Sequence, residues 1–108
     1  MMYDVKITEQ ARLDLKQMYE YIAGTLMVPA TAEKQYTRIE TAVYSLEQMP
    51  ERFRQYEKEP WRSRNLRIMP VDNYIVFYTV DSGNREVTVI RIMYGRRDTE
   101  KEMDDIVR

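Results

Sequence analysis

Apolar residues recur along this chain at two different periods, and the period changes once. Tyr3-Asp4-Val5-Lys6-Ile7 alternates apolar and polar, the pattern of a short strand. Thr8 follows as a helix cap, and Glu9 stands in the first helical turn, where the helix dipole favours a negative charge. Ala11, Leu15, Met18, Tyr19, Ile22 and Leu26 recur at three- and four-residue steps, which places them on one helical face. Gly24 weakens the end of that helix, and Pro29 limits it or opens the next. Ala32, Tyr36, Ile39, Val43 and Leu46 repeat in the same way, with Glu33, Arg38, Glu40 and Glu47 between them. This second helix should end by Met49, because Pro50 disfavours helical geometry at the residue before it. The short link between the two predicts an antiparallel helical hairpin.

Residues 50–62 form a charged loop between Pro50 and Pro60, and beyond it the period is two. Asn65 to Val71 reads as a strand, and Asp72-Asn73 suits a tight hairpin turn. Tyr74 to Val80 is apolar on both faces, which predicts an interior strand. Asp81-Ser82-Gly83-Asn84 is a turn, since Gly and Asn tolerate positive φ. Glu86 to Tyr94 is the last strand, with Val87, Val89, Ile90 and Ile92, and Gly95 breaks it. Thr99 to Val107 suits a terminal helix with Met103, Ile106 and Val107 on one side. The order is β-α-α-β-β-β with a possible C-terminal helix. The expected class is α+β: a helical hairpin on one face of a largely antiparallel sheet. At 108 residues, positions 1–108 make one domain.

Composition narrows the chemistry. There is no Cys, so neither a disulfide nor a thiolate metal site can form. There is no His, which removes the commonest general base at neutral pH and the commonest zinc ligand. No phosphate-binding loop is present, since the three Gly stand apart at 24, 83 and 95. No cofactor or metal is expected. The acidic tail Asp98, Glu100, Glu102, Asp104 and Asp105 reads as a solvated helix face, since no calcium-loop pattern surrounds it. No apolar run approaches the ~18 residues of a membrane span. Met1-Met2-Tyr3-Asp4 has neither a basic start nor an apolar signal region, so a cytosolic chain is expected.

The net charge of −1 hides an uneven distribution. Residues 52–97 hold ten basic and five acidic side chains, and nine of the ten are Arg. That block is either a solvated strand face balanced by acidic helices or a recognition surface for phosphate or carboxylate. Its most informative segment is Arg91-Ile92-Met93-Tyr94-Gly95-Arg96-Arg97-Asp98. Two guanidinium groups where a strand ends can hold a phosphate and stabilise charge growing on it. Equally, Arg96 can pair with Asp98 or a tail acid while Tyr94 packs. Arg62, Arg64 and Arg67 form a second group entering the preceding strand. Arg64 and Arg67 differ by three, so in an extended strand they face opposite sides. Trp61 can stack on a base or a partner, or pin its loop to the core.

Four segments together resemble the RelE/ParE toxin superfamily and cover nearly the whole chain. Tyr3-Asp4-Val5-Lys6-Ile7-Thr8 runs directly into a helix. Leu46-Glu47-Gln48-Met49-Pro50 resembles the family's Leu-x-x-x-Pro helix end. Arg64-Asn65-Leu66-Arg67 through Tyr74-Ile75-Val76-Phe77-Tyr78 is similar to its central hairpin. Val89 to Asp98 is similar to its closing strand and Arg-Arg-Asp signature.

The resemblance implies a growth-inhibiting toxin neutralised by an antitoxin in a hetero-oligomer. Its target is either DNA gyrase, as for ParE-like members, or ribosome-bound mRNA, as for RelE-like members. A degenerate member would retain only antitoxin binding. In the RNA-cutting branch a base takes the 2′-hydroxyl proton and the oxygen attacks the adjacent phosphate. Cations stabilise the dianionic transition state without a metal, and an acid protonates the oxygen that leaves. Arg64, Arg67, Arg96 and Arg97 would supply those cations, and Tyr94 a proton donor. Three departures point instead toward the ParE-like branch. Ile75 stands where RNA-cutting members carry an Arg, Tyr94 stands where they commonly carry a His, and the isoelectric point is near 5.5.

Overall fold

In the computed structural model, residues 2–95, 103 and 106 are described. Four strands and two main helices follow in the expected order: β1 (Asp4–Ile7), α1 (Glu9–Glu20), α2 (Pro29–Tyr44), β2 (Leu66–Val71), β3 (Tyr74–Asp81) and β4 (Glu86–Tyr94). The sheet order is β1-β4-β3-β2. The β2–β3 and β3–β4 pairs are antiparallel, and β1 joins parallel to β4 at one edge. Met103 and Ile106 are helical, in keeping with a terminal helix; the rest of 99–107 lies outside the described residues.

Local chemistry accounts for the helix ends. The Thr8 hydroxyl accepts from the Ala11 amide at 3.1 Å, which caps α1. Ala11, Leu15, Met18 and Ile22 are buried, as their spacing requires. Leu26 is not, although the helical period placed it on the same face. A wide π-helical turn over Tyr21–Thr25 ends the helix first, with the Leu26 amide bonded back to the Tyr21 carbonyl. Pro29 opens α2, where a missing N–H costs nothing. Tyr19 and Tyr36 meet edge to face, with centroids 6.2 Å apart, and join the two helices. The chain leaves α2 through a 3₁₀ turn, Ser45–Glu47, and the Arg52 guanidinium donates to the carbonyls of Gln48 (2.6 Å) and Met49 (3.1 Å).

The sheet is buried on both sides. One face carries Met69, Val71, Val76, Tyr78, Val80, Val87, Val89 and Ile92 against the helices. The other carries Leu66, Ile68, Phe77 and Met93 against Trp61 and Met103. This explains why β3 is apolar on both faces. Two turns differ in detail from the sequence reading. Asn65 has φ 58° and precedes β2 rather than belonging to it. In the β3–β4 turn Arg85, not Gly83, takes positive φ, at 52°, while Asn84 donates to the Asp81 carboxylate.

The outer margin of β2 is closed. Its outward N–H groups alternate along the strand. The Leu66 amide donates to Trp61, the Ile68 amide donates to Arg54 at 3.1 Å, and Pro70 has none to offer. Gln55 lies opposite Arg67 and completes this cover.

Candidate functional site

Arg67 is the second residue of β2, opposite Tyr78 on β3. Its guanidinium turns toward the 3₁₀ turn Pro50–Arg52 and the residue after it. It donates to the carbonyls of Glu51 (3.0 Å) and Phe53 (2.7 Å) and pairs with the Glu51 carboxylate at 3.2 Å. Only 14% of the side chain is exposed. Beside it, the Tyr78 hydroxyl is buried and bonded to the Pro50 carbonyl, and burial pushes its pKa up to about 12.

Arg64 lies in the turn before β2, not in the strand, with its guanidinium over the Trp61 ring at 5.3 Å from the centroid. Trp61 itself is buried and donates its indole N–H to the Met103 carbonyl at 3.0 Å. Of the two roles open to it, this geometry is the loop pin.

Tyr94 closes β4 opposite Tyr74, and the two rings meet edge to face at 5.4 Å. Ile75 is half-buried next to Tyr74, and a Cβ added at Gly95 would stand 3.4 Å from it. β2 begins at the residue paired with Thr79, whereas Tyr94 pairs with Tyr74. Five residues of extended strand separate those positions, roughly 17 Å. Arg64 and Tyr94 therefore stand at opposite ends of the sheet. Arg96 and Arg97, the remaining candidates, lie outside the described residues.

One cluster escaped the sequence reading. Asp14 sits within the apolar stripe of α1 and is buried. Its carboxylate accepts from Arg91 Nε (2.8 Å) and Nη2 (3.1 Å), from the Ile92 amide (2.9 Å) and from Gln10 (3.2 Å). The legible signal was an acid three residues after Ala11 and four before Met18.

A shallow groove of about 480 Å³ runs between α2 and β2, lined by Thr37, Thr41, Ser45, Phe53, Met69 and Pro70 among others. At one end Arg38 and Asp72 form a two-bond ion pair, 2.7 and 2.8 Å, which Gln35 joins. Hydrogen bonds from Arg38 and then Gln35 hold the Asp72 carboxyl below its ordinary pKa. Among the described residues no three acidic side chains gather to hold a metal ion, and no helix is long and apolar enough to cross a membrane.

A helical hairpin laid across a four-strand, mostly antiparallel sheet, with the first strand parallel to the last, is an α+β architecture of the RelE/ParE kind. The model of the ParE toxin of the type II toxin–antitoxin system parDE matches residues 5–99, and the chain belongs to that family. Solved structures agree on the fold. A chain of the chromosomal ParDE system from P. aeruginosa is 23% identical, with TM-score 0.69 over 86% of this chain and 96% of that one. A chain of the RelBE2 toxin–antitoxin complex from Mycobacterium tuberculosis is 20% identical, with TM-score 0.62 over 87% and 99%. A mutant of the E. coli toxin RelE in the free state is 13% identical, with TM-score 0.63 over 94% and 93%. No curated protein sequence matches the chain.

Proposed function

We propose that this chain is a growth-inhibiting toxin held inactive by a cognate antitoxin, and that once free it acts in the cytosol by binding DNA gyrase. The family supports the first part. The observation that supports the second is the placement of the two candidate cations among the described residues, Arg64 and Arg67. Both terminal nitrogens of Arg67 are engaged by Glu51 and Phe53, and Arg64 stands a sheet-length from Tyr94. RNA cleavage needs its cations within contact of one phosphate. A binding toxin needs only a shaped surface.

Expression from a tightly controlled promoter tests the reading. The expected result in the first minutes is arrested growth, DNA breaks and a DNA-damage response with intact mRNA, and loss of supercoiling by purified gyrase when the chain is added. Early cuts in ribosome-bound mRNA with intact DNA would assign the chain to the RNA-cutting branch instead. Unchanged growth would remove both toxic readings.

A further inference from the structure

The β3–β4 ladder slips once. Tyr78 pairs with Val89 but Phe77 pairs with Arg91, so Ile90 is an extra residue, a β-bulge. The bulge changes the phase of β4. Val87 and Val89 face the helices, and so does Ile92, three residues further on, while Met93 faces the opposite core. Strict alternation from Val89 would instead turn Arg91 and Met93 toward the helices and send Ile92 and Tyr94 to the other side.

The backbone groups around the bulge are taken up by α1 and its cap. The Thr8 amide donates to the Val89 carbonyl at 3.0 Å, and the Thr8 hydroxyl to the Ile90 carbonyl at 3.0 Å. The Ile92 amide donates to Asp14. The Asp14 side chain is 6% exposed and that of Arg91 15%. A buried ion pair of this kind adds little net stability over apolar residues of similar volume, and its best-attested use is to select one register.

We propose that Asp14 is a register lock: by holding the Ile92 amide and the Arg91 guanidinium together it fixes the bulge at Ile90. It thereby sets Tyr94 on the helix-covered face against Tyr74. A residue in the first helix thus determines which face of the sheet presents the end of the last strand. The lock itself does not depend on what the chain binds. Its consequence for toxicity rests on the gyrase-binding reading above.

The test replaces the pair by apolar residues, Asp14→Leu with Arg91→Met, and reads cross-strand contacts by NMR. The expected result is a folded chain in which Ile90 is absorbed into the ladder, Met93 lies opposite Tyr74, and the Tyr74–Tyr94 ring contact is lost. A folded double variant that keeps Tyr94 opposite Tyr74 would overturn the proposal. Asp14→Asn serves as the second variant, because it keeps an acceptor for the Ile92 amide. It should hold the wild-type register, with exchange of that amide roughly tenfold faster as a charged acceptor becomes neutral. An unchanged Ile92 exchange rate in Asp14→Asn overturns the proposal even where the double variant does not fold. A shifted register with full toxicity leaves the lock standing and shows that toxicity does not run through Tyr94.

Discussion

The Tyr78 hydroxyl donates to the Pro50 carbonyl at 2.6 Å, tying the centre of the sheet to a turn 28 residues earlier in the chain. Burial raises the pKa of that hydroxyl from 10.0 to about 12, with Arg67 and Arg52 pulling it the other way. Unfolded, Tyr78 ionises near 10; folded, it keeps its proton until about 12. Its contribution is therefore complete below pH 10 and is lost as the pH rises from 10 to 12. Thermal midpoints across that window should fall more steeply for the wild type than for Tyr78→Phe. At neutral pH, Tyr78→Phe should cost roughly 1–3 kcal/mol, because the Pro50 carbonyl loses its donor.

Arg67 offers a test that separates structure from activity. Arg67→Ala removes the donors to Glu51 and Phe53 and should destabilise the chain by roughly 1–3 kcal/mol in urea melts. Arg67→Lys should restore only part of this, since an ammonium cannot reproduce the planar fork that spans two carbonyls and a carboxylate. A stable Arg67→Ala chain that has lost toxicity would place Arg67 on the target-facing surface after all.

The Arg38–Asp72 pair holds the β2–β3 turn against α2, where Asp72 itself takes φ 56°. Its contribution is present above the ordinary carboxylate pKa and disappears as pH falls through the lowered one. Both side chains are solvated, so the effect is small and weakens with salt. An NMR titration should find the Asp72 midpoint below the usual carboxylate range, and Arg38→Ala should bring it back up.

Trp61 is the only Trp in the chain, so its fluorescence reports one place. The buried ring should emit to the blue and shift red on unfolding. Trp61→Phe should cost about 1 kcal/mol through loss of the bond to the Met103 carbonyl. Trp61→Ala should cost roughly 3–5 kcal/mol by leaving a cavity under the sheet.

Helices and strands were legible because their periods are. Ala11, Leu15, Met18 and Ile22, and then Ala32, Ile39, Val43 and Leu46, are buried at the positions their spacing required. The interior place of β3 followed from apolar residues on both its faces. The bulge was hidden, because Val89-Ile90-Arg91-Ile92-Met93 offers apolar side chains to either face and no alternation that a slip would visibly break. Gly83 drew attention as the turn residue, yet the left-handed position fell one step past Asn84, on Arg85. The candidate site is less legible in the sequence than the fold. Sequence shows that Arg64 and Arg67 are cations, but not that one lies over an indole and the other is turned inward to carbonyls.

The closed margin of β2 bears on how the chain behaves when many copies are made at once. An exposed strand with unspent amides templates its own polymerisation, and released hydrophobic chains aggregate along such margins. Here Trp61, Arg54 and Pro70 leave that side of the sheet without an amide to offer a neighbouring copy. The opposite margin is a strand of only four residues. Neither margin therefore offers a newly made copy a long open strand on which to stack.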